Sequence, residues 1–271
     1  MKLATILAEA AVFTAPDSSN GRRASNPTII DPDTASLFTV SIEADHALEL
    51  IKQRCSDSIH NSPLFRGLRK VTTEYFASDS SQIERRSLDN PNHYTKLLSA
   101  GGLDSWKNYP PRDRSTICTT ADTGESNEYG DTYVVFPENG TKIGICPSYD
   151  LWGSFKPLIR AAGQNVDGDL AHNLIDLFDT IDPAGTGNVT TQLEQSIRKF
   201  YPNVPMSGSL RDFLEKYMAP EFNNFQLVTP ATMPTFEYTS EVFHLHSREV
   251  WFSGRAVYVR YDIWQQLKDQ L

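Results

Sequence analysis

The sequence predicts an α+β protein, a mixed or antiparallel β core interrupted by a helical insertion. Three observations lead there. The most β-rich stretch, residues 115–147, lies in the middle of the chain, and a second β-rich stretch, FEYTSEVFHLHSREVWFSGRAVYVRY, lies close to its end. Between them runs a mainly helical block of about residues 151–218. An order of helix, β, helices, β fits a β core carrying an insertion better than it fits alternating βαβ units.

The elements follow in chain order. MKLATILAEAAVF reads as a short amphipathic helix, because Glu9 interrupts the apolar run and TAPDSSNG supplies no clear small-residue cleavage site. Residues 14–36 are rich in Ser, Asn, Asp and Pro, the composition of a linker or extended arm. Residues 1–36 are therefore expected to be helix and arm, and 37–271 the α+β domain. SLFTVSIEADHALELIKQRC reads as a strand and then a helix with Ala47, Leu48, Leu50 and Ile51 on its apolar face. SPLFRGLRKVTTEYFAS reads as a pair of strands around Gly67. A polar loop follows, in which Tyr94, Trp106 and Tyr109 imply packing onto a neighbour. YVVFP and KIGIC flank Asn139-Gly140, a strong hairpin signal, so a β-hairpin is expected over 130–147. Helical segments then run from SYDLWGSF to SLRDFLEKYM, and IWQQLKDQL is expected to close the chain as a short helix.

Composition narrows the function classes. The chain has 271 residues, 39% of them hydrophobic and 11% aromatic, enough to bury a sizeable core. Its 25 Lys and Arg against 34 Asp and Glu give a net charge of -9. That charge repels phosphate backbones, so no general nucleic-acid binding is expected. Arg66, Arg69 and Lys70, and separately Arg112 and Arg114, leave room for a local pocket that takes a small anionic cofactor. Cys55, Cys118 and Cys146 are odd in number and widely spaced, which argues against a disulfide framework or a zinc site. They read as small buried hydrophobes in a reducing, cytoplasmic compartment. No stretch approaches the roughly 20 apolar residues that span a bilayer.

Two metal patterns fail on inspection. FDTIDPAGTGNVTTQLEQ has the rhythm of a calcium loop, yet counting from Asp182 the ligand positions fall on Ala184, Thr186 and Leu193. Gly185 and Gly187 then serve a turn between helices. His244, His246 and Glu249 lack a common strand face and a further ligand, so no metal is expected.

Three segments carry candidate chemistry. Leu64-Phe65-Arg66-Gly67, Ile117-Cys118-Thr119-Thr120, and Ser247-Arg248-Glu249-Val250-Trp251-Phe252-Ser253-Gly254 with the strand after it occur in this order. Together they resemble the aromatic-Arg-Gly strand, the Ser-Thr-Ser strand and the catalytic-glutamate strand of the arginine-serine-glutamate class of ADP-ribosyltransferases. In that pattern a turn with Gly follows the glutamate strand and the next strand pairs back. The resemblance implies an ADP-ribosyltransferase-like fold and an NAD-dependent mono-ADP-ribosyltransferase, with NAD as substrate and no metal. It makes Glu249 the catalytic carboxylate that stabilises positive charge on the ribose. Thr119, or in another register Ser115, becomes the hydroxyl that fixes the carboxylate rotamer. Arg66, beside Gly67, becomes the clamp on the pyrophosphate, with Tyr94 as a further cofactor contact. The chain departs from the pattern in three ways. Cys118 or Thr119 stands for the first serine, Ser247 stands where arginine-modifying members carry Glu or Gln, and Thr119 lies 130 residues before Glu249 (249 minus 119).

The middle block, RSTICTT through SYDLW, is also similar to uncharacterised proteins of tailed bacteriophages. That similarity implies a host or viral protein as acceptor, in the host cytoplasm. The other function carried forward is a non-catalytic virion or assembly protein, whose arm at 14–36 orders on a neighbour.

Overall fold

Among the described residues nine strands form one sheet in the computed structural model, in the order β1-β3-β9-β5-β2-β4-β8-β6-β7, and every neighbouring pair is antiparallel. The structure describes residues 40–59, 61, 63–69, 71–82, 98, 102–120, 126, 129–155, 210–236 and 247–268. The strands are β1 Val40–Ser41, β2 Leu64–Leu68, β3 Tyr75–Asp79, β4 Thr116–Thr119, β5 Asp131–Pro137, β6 Ile143–Ile145, β7 Gln226–Val228, β8 Glu249–Phe252 and β9 Arg255–Arg260. The helices are α1 Ala44–Arg54, α2 Ser56–Ile59, α3 Leu210–Tyr217 and α4 Tyr261–Leu267. The chain is thus α+β with a large antiparallel sheet. The expected amphipathic helix and arm, the calcium-like loop, His244, His246 and Tyr94 lie outside the described residues, as does the insertion between 156 and 209.

Among the described residues, strands that follow one another in sequence do not pair, except β6 with β7. β2 bonds to β4 and β5, while β3 bonds to β1 and β9, so the expected strand pair at 64–79 is two separate strands. The expected hairpin at 130–147 is corrected in the same way. The turn is there, with Gly140 at φ 76°, but β5 goes to β2 and β9 and β6 goes to β8 and β7. Turn chemistry reverses the chain without choosing the partner, and here both edges of β5 are already taken. β8 and β9 likewise do not pair back, although only Ser253 and Gly254 separate them.

That last connection dictates the shape of the sheet. Four strand spacings lie between β9 and β8 in the order, which in a flat sheet is about 19 Å. Three peptide units, from Phe252 to Arg255, reach at most about 11 Å. The sheet must therefore roll until its two halves face each other, and Gly254, at φ 133°, makes the corner. Contacts across the roll agree. The Thr116 hydroxyl of β4 lies 3.1 Å from the Tyr258 hydroxyl of β9, and Ser80, just after β3, donates to the carbonyl of Phe252 on β8 at 3.4 Å. β2 and β4 share one register pair, Phe65 with Thr119, so the halves join through a single contact of strands.

Alternation along the strands then builds two cores. Inside the roll lie Leu64, Phe76, Cys118, Tyr133, Val135, Ile143, Ile145, Val250, Phe252 and Tyr258, with Phe76 stacked on Tyr258 at 4.3 Å between ring centroids. On the outer face of the β9-β5-β2 half, Phe65, Tyr75, Val134, Phe136, Val257 and Val259 pack under Ala47 and Ile51 of α1 and Trp264 of α4. Leu48 and Leu50, expected with them, are half-buried. All three cysteines are buried, as expected, and burial pushes the Cys55 thiol up to about 12.

The outer face of the β4-β8-β6 half is covered by irregular chain. Trp106 is the hub, with its ring against Tyr109, Phe155, Phe225 and Trp251 and its N–H donating to the Met218 carbonyl at 2.9 Å. Trp106 and Tyr109 of the polar loop thus pack onto a neighbour, as their type implies. Gly144 stands opposite Trp251 in the register, and a Cβ there would come within 2.4 Å of the indole, so glycine on β6 makes room for that ring. Gly67 serves a similar need on β2, where a Cβ would meet the Ser126 carbonyl at 1.9 Å.

Candidate functional site

The three signature segments fall on β2, β4 and β8, which are consecutive neighbours in the sheet. Glu249 is the first residue of β8 and stands opposite Thr119 of β4, which in turn stands opposite Phe65 of β2. Residues far apart in sequence are therefore brought within a few strand spacings. Side-chain directions divide them. Thr119 and Glu249 share the outer face, whereas Arg66, opposite Tyr133, shares the inner face with Tyr133 and Tyr258. The Arg66 guanidinium donates to the Ile117 carbonyl at 3.1 Å, where β2 and β4 diverge, and the side chain stays half-buried.

Glu249 is 1% exposed, and so is Arg112, with which it forms a direct ion pair. Its second carboxylate oxygen accepts from the Leu151 N–H at 3.4 Å. Backbone bonds anchor the same residue, since its N–H donates to the Tyr149 carbonyl and its own carbonyl accepts from Cys146. Arg112 reaches the carboxylate from the 3₁₀ turn Arg112–Arg114 and lies over the Trp251 ring, 5.2 Å from its centroid. The Trp251 N–H donates to the Pro110 carbonyl at 3.0 Å, tying that turn to β8. The expectation that Arg112 helps to hold an anionic cofactor is thus replaced by a contact inside the protein. Sequence reading assigned no role toward Glu249 to Arg112, Trp251 or Leu151, because their loops meet β8 only through the tertiary fold.

The hydroxyl candidates take different places. The Thr119 hydroxyl lies 2.7 Å from that of Ser247, two residues before the glutamate, and the Thr120 hydroxyl accepts from the Arg248 N–H at 3.0 Å. Ser115 donates to the Arg112 carbonyl at 2.9 Å, so it braces the turn that carries Arg112. Asp150, 2% exposed, accepts from the Gly153 N–H and belongs to the same buried cluster. The Cys146 thiol registers this charge. Burial first and the negative Glu249 second hold it well above its ordinary value, with Arg112 pulling the other way. In such a low-dielectric pocket charges couple to one another more strongly than they do in water.

An open groove of about 270 Å³ lies elsewhere, on the outer face beside α1, with Leu50, Cys55, Ala77 and Val257 in its floor and Arg54, Asp79, Glu138 and Arg255 around it. None of the candidate residues lines it. Among the described residues no group of His, Cys, Asp and Glu is disposed to hold a metal ion, and no helix is long and apolar enough to cross a membrane. No family model matches the chain, and no curated protein or solved structure matches it either.

Proposed function

We propose that this chain is an NAD-dependent mono-ADP-ribosyltransferase acting on a host or viral protein acceptor, with an ADP-ribosyltransferase-like sheet as its scaffold. The observation that carries the reading is that three segments spread from Leu64 to Phe252 occupy three consecutive strands, with Glu249 opening its strand opposite Thr119. In this reading Glu249 faces the ribose as the nicotinamide bond breaks, and its charge stabilises the oxocarbenium-like transition state. Thr119, linked to Ser247, keeps the start of β8 in register with β4. Arg66 uses one of its five N–H donors on Ile117, and those left take the pyrophosphate. In the present conformation the Leu151 N–H covers the second oxygen of Glu249, so NAD reaches that oxygen only when this cover gives way, while Arg112 stays on the first.

A second reading, a non-catalytic virion or assembly protein, rests on a different observation. Both oxygens of Glu249 are engaged within a buried aromatic layer, and Arg66 is on the opposite face. The pair then serves stability alone. Arg66→Ala separates the two. As a transferase the variant shows a KM for NAD raised roughly tenfold or more, because a charged hydrogen bond to a pyrophosphate contributes about 1.5–3 kcal/mol. An Arg66→Ala protein whose NAD turnover matches wild type removes Arg66 from the site.

A further inference from the structure

We infer that Arg112 is a positioning residue for Glu249, the counter-charge that keeps this carboxylate ionised and aimed in a site closed to water. The inference rests on the transferase reading. A carboxylate that is to stabilise a ribosyl cation must be both dry and charged, and these demands conflict, because burial favours its neutral form. The structure resolves the conflict with one guanidinium. Arg112 and Glu249 are each 1% exposed and directly paired. The Leu151 N–H bonds the second oxygen, so the carboxylate plane is held from two sides. Arg112 is itself fixed by the Trp251 ring beneath it and by Ser115, which grips its carbonyl.

The other charged and titratable groups packed around the pair do not take over this role. Asp150 carries the same sign as Glu249, and Cys146 is held in its thiol form. Arg248 turns its guanidinium to the carbonyls of Cys146 and Pro147, at 3.3 and 2.9 Å. On β4 the residue opposite Glu249 is Thr119, which carries no charge. Among the described residues Arg112 meets the carboxylate directly. When positive charge builds on the ribose, Glu249 meets it through the oxygen that Leu151 now covers while Arg112 holds the other, so it is never buried as an unpaired anion.

The experiment is the pH dependence of NAD turnover in wild type, Arg112→Gln and Arg112→Lys, with thermal melts of each at the same pH values. Arg112→Gln keeps a hydrogen-bond donor and removes the charge, so the acid limb of its pH–rate profile moves up by roughly 1–3 pH units. Arg112→Lys keeps the charge, and its limb stays with wild type even where kcat falls. A part that is only structural would lower activity in both variants without moving the limb. The melts give a second reading with its own sign. Without Arg112, Glu249 binds its proton more tightly in the folded than in the unfolded chain, so Arg112→Gln gains stability relative to wild type as pH falls. Turnover by wild type with an unmoved limb in Arg112→Gln overturns the positioning role alone. Wild type without any turnover removes the transferase reading and this role with it.

Discussion

Glu249→Gln is expected to do two things at once, abolishing NAD turnover and lowering the thermal midpoint by on the order of 10 °C. The chemical loss follows from charge. The amide keeps the shape and a hydrogen bond but offers a ribosyl cation no anion, a change that costs about 10²–10³ in rate. The stability loss follows from burial. Arg112 would keep its guanidinium at 1% exposure with no carboxylate opposite it, and breaking a buried pair on one side costs about 3–5 kcal/mol. Turnover must therefore be compared below the lowered midpoint. Adding Arg112→Gln should recover part of the stability, because two neutral amides can bond where one unpaired charge cannot, and this non-additivity is the signature of direct coupling. Turnover stays lost in the double variant. If the protein is an assembly component, the melts behave in the same way and there is no turnover to lose.

Trp106→Ala is expected to destabilise the fold by about 3–5 kcal/mol, the usual cost of deleting a large buried aromatic side chain. The indole, 2% exposed, touches Tyr109, Phe155, Phe225 and Trp251, and its N–H is the bond to Met218. These partners belong to four separate stretches of chain, so one substitution loosens the whole cover over β8. Lys107→Ala, one residue along and exposed, is the control and should leave a urea midpoint unchanged. A Trp106→Ala midpoint equal to that of the control would show that the cover is held by something other than this hub.

Local chemistry in the sequence reported more about elements than about partners. Asn139-Gly140 marked a real turn, YVVFP and KIGIC are real strands, and the apolar spacing around Ala47 and Ile51 marked the face that α1 buries. Pairing was a different matter. Strands joined by a short turn usually bond to each other, but here the roll of the sheet sends β5 and β6, and β8 and β9, to different neighbours. Nothing within ten residues of Gly254 encodes that choice, because it is made by competition for edges across the whole sheet. The site divides along the same line. Glu249, Thr119 and Arg66 could be singled out because each sits in a short recognisable segment. Arg112 shows in the sequence only as a basic neighbour of Arg114 suited to an anionic cofactor, and its pairing is hidden until Trp251 and Glu249 are folded against it. The alternation that separates Arg66 from Glu249 was hidden too, because it depends on the register of β2 against β4, set by the single pair of Phe65 with Thr119.

A transferase of the proposed kind cleaves NAD at the nicotinamide bond, so the decisive measurement is release of labelled nicotinamide by the wild-type protein. The assay is run with NAD alone and with host lysate as acceptor. Steady release that grows when acceptor is present is expected, with label from the adenylate side appearing on a protein band. Release no faster than in buffer, together with no heat of NAD binding in a calorimeter, would contradict it and leave the buried Arg112–Glu249 pair as a device of stability in an assembly protein.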